Sequence, residues 1–470
     1  MSLLLSCEHR LHIMALNIVI LAAGQGKRMH STIPKVLHRL ANKTLLEHVV
    51  RTSEQLNPHH PPLIVYGFQG DVVKRSLAHL NVTWVEQPAQ LGTGHALQQT
   101  LPYIPDQNRV LILYGDVPLI SADTLQNLLT TTPEEGLGMV TATLHSPQGL
   151  GRIVRDSLNK IMKVVEEKDA TENELALQEI NAGIYVVPAR YLKQWLPRLT
   201  QKNAQCEYYL TDIIDMAVQE NITIHHVEPL QTEEIMGINH RQQLACAERF
   251  YQKREADTLL NQGVTLLDPN RFDVRGNLTV GQDVCIDINV ILEGDVIIGN
   301  HCTIGPNTIL RNVTLEDHVI ILANSVLEGA MIRKHSTVGP FARIRPNTVI
   351  GPFAEVGNFI EVKNTLIGEG TKAHHVSYLG DSHIGKKVNI GAGTITCNYD
   401  GANKHKTVIE DNAFIGSNTE IVAPVIIGEG STIGAGSTIT RNTPPHQLTL
   451  SRVEQRSIST WQRKKKEKET

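Results

Sequence analysis

The sequence predicts a two-part chain: an α/β domain with a mostly parallel, Rossmann-like sheet, followed by a parallel β-helix of hexapeptide repeats. Three observations predict it. Nineteen aliphatic residues recur in steps of six through the C-terminal part: Val280, Ile286, Leu292, Ile298, Ile304, Leu310, then Val338, Ile344, Ile350, Val356, Val362, then Ile384, Ile390, then Ile409, Ile415, Ile421, Ile427, Ile433, Ile439. Near the N-terminus a short apolar run, residues 17–21 (NIVIL), leads straight into a glycine-rich turn, AAGQGKRM. A later apolar run, residues 110–114, ends in Gly115-Asp116-Val117-Pro118-Leu119.

At 470 residues the chain is long enough for two cores. A net charge of −4 excludes attraction to nucleic acid or a membrane surface through bulk field. The six cysteines, Cys7, Cys206, Cys246, Cys285, Cys302 and Cys397, are scattered without a CxxC pair, which argues against a zinc site or a disulfide framework. Free thiols fit a reducing cytoplasm, and no apolar run approaches the roughly 18 residues of a membrane span. Residues 1–14 contain Leu3-Leu4-Leu5, too short for a signal-peptide core, and are expected to be a disordered extension.

The α/β domain is expected over residues 15–240. The strand at 17–21 and the turn after it would face backbone amides toward a phosphate. Both commoner glycine-rich readings fail here. A dinucleotide fold wants a third glycine where Met29 stands, and a P-loop wants GKS or GKT where Gly26-Lys27-Arg28 stands. Arg28 and Lys35 add cations near the loop, which suits a triphosphate. Further strands are expected at 63–66, 82–86 and 110–114, separated by helical stretches, which puts ligands at the strand C-terminal ends. Asp116 lies at one such end, where a carboxylate can hold Mg²⁺ against substrate phosphates. Polar groups beside later strand-like runs (Gly151, Glu166, Asn181) are weaker signals. Residues 207–212 are expected to begin a helix, and Asn239 closes the domain as a possible second oxygen ligand. A connecting helix is expected over 241–263, stopping at Gly263.

A period of six belongs to neither a helix nor a simple strand, but it is that of a β-helix whose flat sides each take one hexad. The aliphatic points inward, the following Gly permits a corner of positive φ with no room for a Cβ, and stacked coils share one core. The fifth place is small or β-branched, as in Thr308, Thr348, Ala354, Val388, Thr394, Ala413, Thr419, Ser431 and Ser437. The β-helix is expected over 264–455, with weak phase at 315–334, a break at 372–378 and an inserted loop at 396–408. A basic tail over 456–470 is expected to be solvated.

The pattern LAAGQGKRM, with Pro34-Lys35, Gln90-Leu91-Gly92-Thr93-Gly94-His95-Ala96 and Tyr114-Gly115-Asp116, resembles the sugar-nucleotidyltransferase family. Joined to hexads that contain NIGAGTITCNYDG (389–401), it is similar over residues 15–455 to the bacterial enzymes that carry a uridyltransferase and an N-acetyltransferase in one chain. That resemblance implies a nucleotidyltransferase domain and a left-handed β-helix. It implies acetyl transfer from acetyl-CoA to glucosamine 1-phosphate, then uridylyl transfer from UTP to N-acetylglucosamine 1-phosphate. It also implies Mg²⁺, a homotrimer and supply of cell-wall precursors.

By motif match the resemblance places Leu21, Ala22, Ala23, Gly24 and Gln87 around the base, and Gly92, Thr93, Tyr114, Gly115, Gly151, Glu166 and Asn181 against nucleotide and sugar. Lys35 and Arg28 would neutralise phosphates, and Asp116 and Asn239 would hold the metal. Residue 182 is Ala where the family suggests Thr, which removes one polar contact. Acetyl transfer needs a base for the attacking amine. The segment Lys372-Ala373-His374-His375-Val376-Ser377-Tyr378 offers two histidines, and the resemblance selects His375. Position 374, where a small residue is expected, is His. Arg345, Lys363, Tyr378 and Asn389 would bind the sugar phosphate, and Ala392, Asn398, Tyr399, Ser417, Ala435 and Arg452 the coenzyme. The main competing reading is a single-function nucleotidyltransferase whose β-helix is structural; a scaffold with a decayed site is the other.

Overall fold

The computed structural model describes residues 15–463, so the extension at 1–14, Cys7 and the end of the basic tail lie outside the described residues. The chain divides into two compact units, Met1–Tyr251 and Gln252–Thr470.

The first unit is built on a nine-stranded sheet: β1 Leu16–Leu21, β2 Leu63–Tyr66, β3 Thr83–Glu86, β4 Arg109–Tyr114, β5 Leu137–Thr143, β6 Arg152–Arg155, β7 Ile161–Val165, β8 Glu179–Pro188 and β9 Ile224–Val227. The order is β9-β5-β8-β4-β1-β2-β3, with the β6-β7 hairpin attached through β8. The β4-β1-β2-β3 half is parallel, and β8 enters antiparallel to both β4 and β5. β1 is buried at every position after Leu16, as a central parallel strand covered on both faces must be. The C-terminal ends of β1, β2 and β4 therefore face one crevice.

The segment at 207–211 is not helical; the helix is Asp212–Gln219. Its backbone is committed elsewhere, with Tyr208 N–H donating to Leu91 O at 2.8 Å and Tyr208 O accepting from Gly94 N–H at 2.8 Å. A long helix, Arg241–Asn261, spans the division between the units. No described helix is long and apolar enough to cross a membrane. The five described cysteines are unpaired.

The second unit is a left-handed parallel β-helix, twenty-six short strands in sequence order, each paired to the strand one coil away. Three inward columns fill it. The first runs Ile286, Ile304, Ile321, Val338, Val356, Ala373, Ile390, Ile415, Ile433, and every member is buried. The small residues two places before a column aliphatic (Thr308, Thr348, Ala354, Ser437) are buried too, which explains their size.

The structure corrects three expectations here. The stretch 315–334 is unbroken: Leu315, Ile321, Leu327 and Ile332 continue the columns, because some sides take five residues instead of six. Residues 372–378 are likewise in register within the strand Lys372–Gly380, with Ala373 and Leu379 buried in the columns. The expected glycine corners are divided between two kinds of position. Left-handed backbone falls mainly to other residues, such as Asn307 (φ 57°), His318 (φ 59°) and Asn324 (φ 60°). Glycine after the aliphatic is required by approach of the next coil: a Cβ on Gly416 would lie 2.5 Å from Ala435 N and 2.6 Å from Ile433 O. Backbone cannot yield there, so Gly416→Ala should destabilise the β-helix by about 1–3 kcal/mol. A lowered urea midpoint by far-ultraviolet circular dichroism would register this, and an unchanged midpoint would contradict it.

Candidate functional site

In the first unit, the ends of β1, β3 and β4 open on a cavity of about 530 Å³. Leu21, Ala22, Ala23, Gly24, Lys35, Gln87, Gly92, Thr93, Tyr114 and Asp116 line it. The turn after β1 needs Gly26, whose φ is 63° and where a Cβ would meet Lys35 Cβ at 2.6 Å. That contact fixes the stem of Lys35 against the loop. Its Nζ ion-pairs with Asp116 Oδ2 and donates to Asn239 Oδ1 at 3.2 Å. Asp116 and Asn239, 123 positions apart in the chain, thus present their oxygens to one cation. Asn239 is brought there because Ile238 N–H donates to Asp116 O at 2.9 Å. Hard oxygen donors converging on a point already held by a cation fit Mg²⁺. Among the described residues no group of three His, Cys, Asp or Glu is placed to hold a metal, so oxygens from outside the chain, of water or of a substrate phosphate, would complete any coordination.

Gln87 is buried and donates to Gly92 O at 3.1 Å. Gly92 has φ 113°, and a Cβ there would lie 2.6 Å from Tyr208 O. Thr93 Oγ1 accepts from Leu210 N–H at 3.1 Å. Arg28 is exposed on the turn and Gly115 is buried; neither lines the cavity.

Gly151, Glu166 and Asn181 form a second group. Asn181 N–H donates to Gly151 O at 2.9 Å. Asn181 Nδ2 donates to the Tyr185 hydroxyl at 2.6 Å. Glu166 accepts from Thr211 Oγ1 at 3.2 Å; burial pushes its carboxyl up, and the Thr211 hydroxyl partly offsets that. Tyr114 joins the two groups: burial pushes its phenol up, with Glu166 and then Asp116 adding to the effect. Ala182 packs against the apolar core. Sequence reasoning missed Gln25, Lys27, Gln90 and Glu207, which also line the cavity. Glu207 was hidden by its assignment to a helix.

In the second unit the site residues fall at two corners and the faces beside them. The strands Glu355–Lys363 and Lys372–Gly380 turn together around one corner, where Asn358 pairs with His375. His375 is exposed, and its Nδ1 lies 3.3 Å from Asn358 Oδ1. With Nδ1–H donating there, Nε2 keeps its lone pair, as a base requires. The register Lys372↔Asn389 and Tyr378↔Ile395 sets Ala392 directly over His375. Asn418 N–H donates to Ala392 O and Gly436 N–H to Ser417 O, so Ser417 and Ala435 continue the same line. Arg452 Nη1 donates to Ala435 O at 2.7 Å. His375, Ala392, Ser417, Ala435 and Arg452 are thereby aligned along one edge of the prism.

The next corner collects cations. Arg345 and Lys363 line a cavity of about 400 Å³ with Asn364, Asp381 and Lys404. Tyr378 lies on the face between the corners, within 3.4 Å of Asn398 Nδ2. Asn398 Nδ2 also donates to the buried Asp381 carboxylate, which accepts from Asn364 Nδ2 at 2.6 Å. Burial pushes Asp381 up, but these hydrogen bonds and the neighbouring lysines outweigh it and hold its carboxyl below its ordinary value. Lys363 in turn draws the Lys404 ammonium down. Tyr399 is exposed on the inserted loop, its hydroxyl donating to Gly401 O at 2.6 Å. Asn389 stands on another face, stacked on Lys372. One chain therefore does not bring Asn389 together with Arg345, Lys363 and Tyr378. Nor does it bring Asn398 and Tyr399 to the edge of Ala392, Ser417 and Ala435. Asn358, Asp381 and Lys404 are additions no sequence motif pointed to.

Comparison with known proteins bears on both units. A family model described as MobA-like NTP transferase domain matches residues 18–202, and one described as bacterial transferase hexapeptide (six repeats) matches 277–312 and 406–441. The protein called bifunctional protein GlmU from Legionella pneumophila (strain Lens) is 52% identical over 455 residues, covering 96% of this chain and 98% of its own. Its namesake from Nitrosospira multiformis is 51% identical over 449 residues, covering 95% and 97%. That from Marinobacter nauticus is 50% identical over 451 residues, covering 96% and 99%.

Proposed function

The chain belongs to the family of bifunctional GlmU proteins, and from that premise we propose that its two units catalyse successive steps toward UDP-N-acetylglucosamine. The β-helix transfers acetyl from acetyl-CoA to the amine of glucosamine 1-phosphate. The α/β unit transfers uridylyl from UTP to the resulting N-acetylglucosamine 1-phosphate and releases pyrophosphate. The product is a precursor for the cell wall, and we place the protein in the cytoplasm. The observation that carries this reading is the presence in one chain of two separate constellations, Lys35–Asp116–Asn239 at a strand end and His375–Ala392–Ser417–Ala435 along a prism edge.

In the uridylyl step a sugar-phosphate oxygen attacks the α-phosphorus of UTP. Both partners are anionic, so the chain must neutralise and align them and needs no nucleophile of its own. The loop after β1 offers backbone amides, and Lys35, Lys27 and Arg28 offer charge. Glu166 and Asn181 hold sugar hydroxyls in the cleft closed by Tyr114. Asp116 and Asn239 would hold Mg²⁺, which when bound supplies charge neutralisation at the phosphate oxygens.

In the acetyl step the amine nitrogen attacks the thioester carbonyl. A C–N bond forms, the C–S bond breaks, and His375 Nε2 takes the amine proton and passes it to the departing thiolate or to water. The small residues above His375 let the pantetheine arm lie close along the edge, and Arg452 faces a coenzyme phosphate. Arg345, Lys363 and Lys404 take the sugar phosphate. Since these cations occupy one corner and His375 another, we propose that neighbouring subunits of a homotrimer complete each acetyl site.

The test uses purified protein in two assays: CoA release from acetyl-CoA with glucosamine 1-phosphate, and pyrophosphate release from UTP with N-acetylglucosamine 1-phosphate. Both should proceed. Pyrophosphate release without CoA release would establish the single-function reading instead. Subunits carrying His375→Ala should be co-expressed with subunits carrying Lys363→Ala. Regained CoA release in the mixed oligomers is expected; two inactive partners that stay inactive together would refute the shared site.

A further inference from the structure

One corner of the β-helix carries Asn312, Gly329, Asn347, Asn364 and Asp381 on successive coils, each in left-handed backbone with φ between 47° and 62°. Asn, Asp and Gly all tolerate that turn, so the backbone alone does not ask for a carboxylate. Asp381 is 6% exposed, and what it touches explains the choice. Its Oδ1 accepts from Asn364 Nδ2 at 2.6 Å, and its Oδ2 accepts from Asn398 Nδ2. Lys363 Nζ lies 4.0 Å from the same Oδ2. Asn398 opens the inserted loop, and Thr407, where the strand resumes, donates its N–H to Asp381 O at 3.3 Å. Between these ends the loop is folded on itself. His405 N–H donates to Asn398 O at 2.8 Å, and Asp400 accepts from Ala402 N–H and Asn403 N–H at 2.8 and 2.6 Å. One buried residue therefore holds a preformed loop at its base.

We propose that Asp381 is a positioning residue for acetyl transfer: it fastens the inserted loop to the cationic corner and fixes which way the Asn398 amide faces. This rests on the reading of Asn398 as a coenzyme contact in the site shared between subunits. A carboxylate only accepts hydrogen bonds, so both amides that meet it must turn their N–H groups inward and their oxygens outward. An asparagine in its place would offer one oxygen and one NH2. It could accept from one of the two amides, and the other would have to turn over or lose its bond. Hydrogen bonds to an ionised acceptor are also about twice as strong as neutral ones. The same anchor brings Lys404, on the loop, and Lys363, on the coil before, to one cavity. Asp381 stands at a different corner from His375, so its effect falls on coenzyme binding and not on the proton transfer.

The test measures steady-state CoA release by full-length protein carrying Asp381→Asn, Asn398→Ala or both. Asparagine keeps the size of the side chain and is already accommodated at φ 47° in Asn364. Asp381→Asn should raise the KM for acetyl-CoA about tenfold, the scale of one charge-assisted hydrogen bond, with kcat within about threefold and pyrophosphate release unchanged. Asn398→Ala should raise that KM at least as much. Adding Asp381→Asn to it should then change little more, since the residue through which Asp381 acts is gone. Effects that multiply independently overturn the proposal. So does an unchanged KM in Asp381→Asn, or a fall in kcat alone, which would mark a structural role. If Asn398→Ala leaves the KM for acetyl-CoA unchanged, the coenzyme reading of Asn398 itself falls, and the two failures are told apart. Should Asp381→Asn alone yield no soluble protein, combining it with Asn398→Asp restores a carboxylate–amide pair across the same gap. That exchange should fold, with the KM for acetyl-CoA still raised. An exchange that also fails to fold, or that folds with the wild-type KM, overturns the proposal.

Discussion

Replacing His375 with alanine will stop CoA release from acetyl-CoA and glucosamine 1-phosphate while leaving pyrophosphate release from UTP unchanged. A positioned general base contributes about 10²–10⁴-fold, and nothing near His375 stands ready to replace it. His374 is tied to Glu355 at 2.8 Å and turned edge-on. The loss should appear in kcat as well as kcat/KM, because proton removal belongs to the reacting step. The fold should survive: His375 is exposed, its strand is held by backbone pairing to both neighbours, and the columns beneath it are Ala373 and Leu379. Raising the pH should restore part of the rate, since more of the amine then arrives deprotonated. Loss of both activities together would mean misfolding; retention of CoA release would move the base elsewhere.

The reciprocal result is expected of Asp116→Asn. Pyrophosphate release should fall roughly a hundredfold or more, on the scale of several kcal/mol of charge stabilisation at phosphate, with CoA release intact. The substitution keeps an oxygen and the shape but removes the charge that, with Asn239, surrounds the Lys35 ammonium. Its backbone role is untouched, since Ile238 N–H donates to Asp116 O and not to the side chain. Steady-state rates across a Mg²⁺ titration give the check: the variant should need more metal and stay slow at saturation. A variant as fast as wild type would remove Asp116 from the phosphate centre. Together the two substitutions dissociate the reactions, which a single-function enzyme cannot do.

Much of this architecture was legible because its local physics repeats. Ile18, Val19 and Ile20 at 0% exposure are what a run of apolar residues buried on both faces must become. The step of six told which side chains enter the β-helix, because each flat side offers one deep inward place per coil. Where sides shorten to five, as between Leu310 and Leu315, the phase slips while the column holds. In the sequence such a slip looks like an interruption; in the fold the column runs on. At 207–211 helical propensity lost to tertiary demand: the backbone there is spent on Leu91, Thr93 and Gly94, none of them near it in sequence.

By itself, the sequence determined the two-unit plan, the apolar strands and columns, the glycine-rich turn after the first strand and the carboxylate at the end of the fourth. These follow from which residues are apolar and at what spacing, information that is local. Only the tertiary structure decided which outward residues meet. Asn239 reaches Asp116, Asn358 reaches His375, and Asp381 gathers Asn364, Asn398 and the lysines. Coil stacking makes neighbours of residues seventeen apart, such as Asn358 and His375 or Lys372 and Asn389. Inward places are constrained alike on every coil and leave a period in the sequence. Outward places are constrained only by what they touch, so their partnerships are written in the stacking and not in the spacing.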